Sequence, residues 1–200
     1  MTAIPSLVLV SDRHATEGRD LVTVVTAALD AGLPAVQLRD KSLSGRALFA
    51  VAERLRAATA RTGALLFVND RIDVALAVGA DGVHLGGTSV PVAVARTLVG
   101  PAGLIGVSTH AANEVRALLG ADFAFFGPVY STPGKTAVGV AALTPAVAAA
   151  TVPVLAIGGV TAREVPAVRA AGAHGVAVIR AILSAPDPAA ATRELLAALR

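Results

Sequence analysis

A single (β/α)8 barrel spanning residues 1–200 is the α/β fold this sequence predicts. Three observations carry it. Short β-branched apolar runs recur from end to end, with longer helical patterns between them and no linker. The runs are largely apolar instead of alternating, as strands are when both faces are buried in a parallel sheet covered by helices. There are eight of them, which favours closure. The chain is short beside the ~250 residues typical of this fold, so its helices and loops must be short; an open doubly wound sheet is the alternative.

The first strand is expected at Leu7–Val10, followed by a helix over Leu21–Ala31 that stops at Ala31-Gly32. Ala35–Leu38 is the second strand and Gly45–Ala60 its helix. Strands three and four are Ala64–Val68 and Gly82–Leu85, the latter preceded by the turn Gly79-Ala80-Asp81-Gly82. Leu104–Val107 is the fifth strand, with a helix over Asn113–Leu119, and Gly120-Ala121-Asp122 turns the chain into the sixth, Phe123–Phe126. Val154–Ile157 is the seventh, leading to a helix over Ala162–Ala171 and the turn Ala171-Gly172-Ala173. Gly175–Ile179 is the eighth, with a short helix starting at Ile179-Arg180 and a closing helix near Pro188–Leu199. The turn glycines suit helix C-caps at the lower face of a barrel.

Composition narrows the function. With 54% apolar residues the chain can bury a sizeable core, and its alanines fall in periodic segments that read as helix, not linker. There is no cysteine, which excludes disulfides, thiolate metal sites and cysteine nucleophiles. The net charge is only +3, the basic residues are scattered and aromatics make up 3%, so no nucleic-acid partner is expected. The N-terminal apolar run is too short to span a membrane and lacks the basic flank of a signal peptide, so no membrane partner is expected, the mature protein is read as beginning here, and a reducing cytoplasm suits it. Whether the alanine-rich helices pack against a second copy is left open.

Polar residues cluster directly after the expected strands: Ser11 and Asp12; Arg39, Asp40 and Lys41; Asn69 and Asp70; Ser108, Thr109 and His110; Thr132 and Lys135. In this fold that end carries the chemistry, although strand ends meet solvent in inactive proteins too. Gly158-Gly159 leads through Thr161 toward a helix, and Ile179-Arg180 opens another. Together they read as a phosphate cradle, where glycine N–H groups and helix N-termini meet an anion; the bland alternative is a pair of turn glycines. In Gln37-Leu38-Arg39-Asp40-Lys41, the alternating Gln37, Arg39 and Lys41 would share one face toward the barrel interior or mouth. Cations buried there call for a phosphate or diphosphate. Otherwise the segment is a solvated loop with a salt bridge to Asp40. His14 and His174 read as surface residues and His84 as a hydrogen-bonded interior histidine, whereas His110, at a strand's C-terminal end, is placed to move a proton.

With QLRDK, FVNDRIDVALAVGADGVHLG, GVSTH, FFGPVYSTPGK and AIGGV in this order, nearly the whole chain resembles the thiamine phosphate synthase and TenI superfamily. That resemblance implies a (β/α)8 barrel and a phosphorylated thiazole as small-molecule partner. It also implies one of two activities. The synthase joins hydroxymethylpyrimidine diphosphate to thiazole phosphate, with Mg2+ holding the departing diphosphate. The TenI-type tautomerase shifts a proton on a carboxythiazole phosphate and needs no cofactor. By resemblance Gln37, Arg39 and Lys41 fall on the synthase's pyrimidine and diphosphate motif, Asn69-Asp70 on its first magnesium motif, and Lys135 on its diphosphate-binding lysine. Ser108, Thr132, Gly158, Gly159, Ile179 and Arg180 complete the expected substrate contacts, and His110 matches the histidine proposed as acid or base in TenI-type tautomerases.

Two departures stand out. After strand four synthases usually read G-Q-E/D-D, whereas this chain reads Gly86-Gly87-Thr88-Ser89, so Ser89 stands where a second magnesium carboxylate is expected. The loop Ser131-Thr132-Pro133-Gly134-Lys135 lacks the second threonine of P-T-x-T-K. Both fall on metal and diphosphate handling, so on sequence alone the tautomerase is preferred to the synthase, with a metal at Asp70 only in the synthase case. A non-catalytic barrel that binds thiamine precursors is the third reading.

Overall fold

Each apolar run becomes a strand of one closed parallel barrel in the computed structural model, which describes residues 3–200. The strands are β1 (Leu7–Val10), β2 (Ala35–Leu38), β3 (Leu65–Asn69), β4 (Gly82–Leu85), β5 (Leu104–Thr109), β6 (Phe123–Phe126), β7 (Val154–Ile157) and β8 (Gly175–Val178). They pair in sequence order, and β8 returns to β1 with Val8 opposite Ala177. The open-sheet alternative is thereby set aside. The helices are α1 (Leu21–Asp30), α2 (Gly45–Thr62), α3 (Ile72–Ala77), α4 (Val92–Val99), α5 (Ala112–Arg116), α6 (Val140–Ala149), α7 (Val165–Ala170), α8 (Arg180–Leu183) and α9 (Pro188–Ala198). None of the described helices is long and apolar enough to cross a membrane.

The two-residue period of each strand sorts its side chains into two cores. Val8, Val10, Ala35, Phe67, Phe123, Phe125, Leu155 and Ala177 fill the barrel. The intervening residues, such as Leu9, Val36, Leu66, Ile105 and Phe126, pack outward with Val25, Leu55 and Leu195 of the helices. Helices start where the sequence supplies caps: Asp20 accepts from the Thr23 N–H, Ser44 from Ala47 and Asp187 from Ala190. At the lower face Asp81 accepts from the Leu66 N–H and pairs with Arg56, and Asp122 does the same with Ile105 and Arg96. Each thus ties a helix to the start of a strand.

Several boundaries differ from expectation. β3 begins at Leu65 and runs on through Asn69; β5 continues through Thr109, so Ser108 and Thr109 are strand residues and not loop residues; β8 ends at Val178. Helix α2 is longer than expected, reaching Thr62 before Gly63 closes it in the left-handed conformation. The expected helix Asn113–Leu119 shrinks to α5, because Leu119 is 84% exposed and continues no buried stripe. α7 starts at Val165 instead of Ala162, since Glu164 folds back to accept from the Thr161 N–H and hydroxyl and holds 161–164 as a turn.

Candidate active site at the C-terminal mouth of the barrel

The floor of the mouth is polar where the rest of the barrel is apolar. Gln37 on β2 is 2% exposed, and its amide nitrogen has no partner among the described residues. His84 on β4 is 1% exposed, with Nε2 2.9 Å from the Ser108 hydroxyl on β5. Burial pushes the His84 pKa down to about 3, with Asp70 opposing the drop and Arg39 adding to it. This has a stability consequence. Between an unfolded pKa of 6.5 and the folded value near 3, the unfolded chain binds one more proton, so stability falls as pH drops below 6.5 and is unaffected by this group above it. At pH 5 the loss is expected to be roughly 2 kcal/mol, at about 1.4 kcal/mol per unit of pH. Urea unfolding of wild type and His84→Gln between pH 8 and 5 checks this: the variant should lack that part of the acid-side decline, and parallel profiles would contradict it.

Directly above sits Asp70, at φ 59°, one of two non-glycine residues of the described chain with positive φ. Aspartate tolerates this conformation better than most residues, and here it follows from the sharp turn out of β3, where the Asp70 N–H reaches the His84 carbonyl at 3.0 Å. One carboxylate oxygen accepts from the Asn69 amide at 2.8 Å and the other from the Ser89 hydroxyl. Ser89 in turn accepts from the Gly86 N–H at 2.6 Å. Asp70 makes no salt bridge among the described residues, so its charge is held by neutral donors only. Nor do the described residues gather three or more His, Cys, Asp or Glu side chains that could hold a metal. One carboxylate with a hydroxyl and an amide beside it suits Mg2+ when substrate oxygens complete the shell, because that ion is usually held by one or two carboxylates plus phosphates.

Around the rim stand Arg39, Lys41, Lys135 and Arg180, all exposed and none in a salt bridge among the described residues. This corrects the expected geometry of Gln37, Arg39 and Lys41. β2 stops at Leu38, so only Gln37 is interior, and the two cations lie in solvent after the strand ends. The expected Asp40 partner also differs: Asp40 pairs with Arg13 at 3.2 Å. Burial raises its pKa, but hydrogen bonds from Ser42 and the Arg13 charge outweigh this and hold it below the ordinary carboxylate value. Asp12, Arg13, His14, Arg39, Asp40, Lys41 and Ser42 line a cavity of about 260 Å3. A larger one, about 480 Å3, lies at the opposite face beside Pro153 and His174, where Arg169 is spent on the Ala173 and His174 carbonyls.

The loop from Gly127 to Gly139 carries Thr132 and Lys135, whose backbones exchange hydrogen bonds of 3.2 and 3.0 Å around Pro133-Gly134. Pro then Gly at the centre of a turn is a type II signature, and Gly134 sits at φ 77°. That turn is what sets the two side chains side by side. His110 is exposed; its Nδ1 meets the Gly127 carbonyl and its N–H the Glu114 carboxylate at 2.7 Å. Gly158 and Gly159 lie against Pro128 and Tyr130 of this loop, and the turn at 161–164 separates them from α7. They are therefore packing glycines as well as candidate anion donors, and the expected direct run into a helix is absent. Ile179 caps the short α8, which begins at Arg180.

Sequence reasoning assigned no position to Ser11 beyond its cluster. Its hydroxyl accepts from the Arg39 N–H at 2.8 Å and donates to the Arg39 carbonyl at 3.1 Å, fixing where β2 ends. The signal was its place directly after Val10 in a strand adjoining β2. Glu114, four residues past His110, was likewise readable from spacing on a helix start.

The chain matches known proteins over most of its length. A family model described as thiamine monophosphate synthase covers residues 7–182. A Geobacter sulfurreducens protein proposed to be a thiamine-phosphate synthase is 50% identical over 97% of this chain and 94% of its own length. The thiamine-phosphate synthase of Methanoculleus marisnigri is 45% identical over 94% of this chain and 92% of its own. Among solved structures, thiamine phosphate pyrophosphorylase from Pyrococcus furiosus superposes with a TM-score of 0.89 at 36% identity, covering 97% of this chain and 95% of that one.

Proposed function

Because the chain belongs to the thiamine monophosphate synthase family, we propose that it is a thiamine-phosphate synthase, an Mg2+-dependent transferase that couples hydroxymethylpyrimidine diphosphate to thiazole phosphate. This reverses the preference for a tautomerase drawn from Ser89. The observation that carries the reversal is the contact of Ser89 with Asp70: the hydroxyl orients the remaining carboxylate at the mouth, and among the described residues no cation pairs with it. The activity for which the relatives are named supports the same reading.

In the reaction the bond from the pyrimidine methylene to the diphosphate oxygen breaks and a bond from that carbon to the thiazole nitrogen forms. When bound, Mg2+ would be held by Asp70, with Ser89 and Asn69 beside it, and would neutralise charge on the departing diphosphate. Arg39, Lys41 and Lys135 supply further positive charge on the rim for that leaving group. The unpartnered Gln37 amide is a donor for an acceptor atom of the pyrimidine. Gly158, Gly159, Ile179 and Arg180 offer backbone donors and a cation to the thiazole phosphate. Both products and reactants are small phosphorylated molecules, in keeping with this concentration of cations at the rim.

One observation favours the tautomerase as a second reading: the Gly127 carbonyl engages His110 Nδ1 and leaves Nε2 open to a substrate. The two readings part on this residue. Under the synthase reading His110→Asn should retain thiamine phosphate formation within about tenfold, whereas loss of a general acid–base costs typically about 10²–10⁴-fold. Incubating the pure protein with each substrate set, with magnesium and with chelator, decides the matter. Proton shift on the carboxythiazole in chelator, abolished in His110→Asn, would restore the tautomerase.

A further inference from the structure

We infer that His84 is a positioning residue: an imidazole protonated at Nε2, which donates to the Ser108 hydroxyl and so turns that hydroxyl's own proton toward the barrel mouth. The synthase reading is needed only to say what Ser108 then meets, a hydrogen-bond acceptor atom of the bound substrate.

The tautomer follows from what surrounds the ring. Its centroid lies 4.2 Å from that of Phe125 and 5.8 Å from that of Phe123, so the two aromatics fix its plane. Nε2 has one neighbour to bond, the Ser108 hydroxyl at 2.9 Å, and Nδ1 has no partner among the described residues. A neutral imidazole carries one N–H and one lone pair. With the proton on Nδ1, a buried N–H would be orphaned. With it on Nε2, the N–H is satisfied and only a lone pair is left bare, which is the less costly arrangement. Sterics agree. A Cβ built on Gly106 would stand 2.5 Å from Nδ1 and 2.3 Å from Phe123 Cζ, so that nitrogen abuts a glycine C–H, where a lone pair fits and an N–H does not.

The Ser108 oxygen therefore accepts from His84, and its own proton has to find another acceptor. Ser108 makes no other side-chain hydrogen bond among the described residues and is half-buried at the mouth. The pair thus presents a donor whose direction is set before substrate arrives, which lowers the reorganisation needed during reaction.

The test is a long-range 1H–15N spectrum of the full chain with 15N-labelled histidine, the His84 signals assigned by their loss in His84→Gln. The expected result at pH 8 is the Nε2-protonated neutral pattern. A proton on Nδ1 would overturn the inference. Turnover supplies the second readout. His84→Leu should lower kcat/KM on the order of tenfold, the worth of one neutral hydrogen bond. His84→Gln, whose amide can still donate, should recover most of it, and the loss should vanish in a Ser108→Ala background. Equal losses for Leu and Gln, or an undiminished loss without Ser108, would also overturn it. The spectrum needs no substrate, so an inactive wild type with an Nε2-protonated ring counts against the synthase reading alone.

Discussion

Asp70→Asn is expected to cut magnesium-dependent thiamine phosphate formation by roughly 10²–10³-fold, the loss of several kcal/mol that goes with losing a metal's charge at a departing anion. Folding should survive. Asparagine accepts the φ of 59° at least as well as aspartate and keeps a side-chain oxygen for the Asn69 amide. The companion variant Ser89→Asp places a second carboxylate against the first. Without metal the two repel and one takes up a proton more readily, so the variant should unfold at lower temperature in chelator. With magnesium the pair becomes a stronger ligand set, and both affinity and unfolding temperature should rise above wild type. Rates at saturating and limiting magnesium, with calorimetric titration of the metal plus inorganic diphosphate, measure these effects. Wild-type turnover in Asp70→Asn would place the metal elsewhere, and unchanged magnesium affinity in Ser89→Asp would remove Ser89 from its surroundings.

What the sequence makes legible is set by local physics. All eight strands show as apolar runs because burial on both faces leaves no room for alternation, and Leu7–Val10 and Phe123–Phe126 carry no polar residue at all. Strand ends are less readable. Ser108 and Thr109 look like loop residues but continue β5, since Thr109 donates its hydroxyl to the Phe125 carbonyl and Ser108 bonds His84 inside the barrel. The reverse error falls on Arg39 and Lys41: a two-residue period suggests an extended face, but the tie from Ser11 to Arg39 ends β2 first, and no single segment reveals a bond across 28 residues. The proposed metal corner shows the same limit. Ser89 in place of a carboxylate reads as a loss, and only its bond to Asp70, 19 residues away, shows it holding the remaining carboxylate in place. Asp81 and Asp122 were visible only as turn residues. Their clamps to Arg56 and Arg96 join three elements each and have no signature in one.

Gly158→Ala is expected to lower the unfolding temperature by about 5–15 °C and to lose most turnover, for reasons of space before any reason of phosphate binding. Gly158 stands at φ 97°, a conformation costly for any residue with a Cβ. An added Cβ would lie 2.5 Å from the Pro128 Cβ and 2.6 Å from its Cα, and the backbone of the 127–139 loop cannot swing aside as a flexible side chain would. Left-handed strain and overpacking together cost roughly 2–4 kcal/mol, and for a chain of this size each kcal/mol shifts the midpoint by about 2–4 °C. Relief would come by displacing that loop, which carries Thr132 and Lys135, so the damage reaches the rim where diphosphate is proposed to sit. Gly159→Ala should behave alike, with φ 65° and a Cβ 2.7 Å from that of Tyr130. Arg180→Ala separates packing from anion binding. Arg180 is exposed and makes no salt bridge among the described residues, so its loss should leave the midpoint near wild type while raising KM for thiazole phosphate by about tenfold. Calorimetric unfolding with and without thiazole phosphate reads both effects. A Gly158→Ala protein that unfolds at the wild-type temperature would show that the close approach to Pro128 is dispensable, and an unchanged KM in Arg180→Ala would remove this arginine from the cradle.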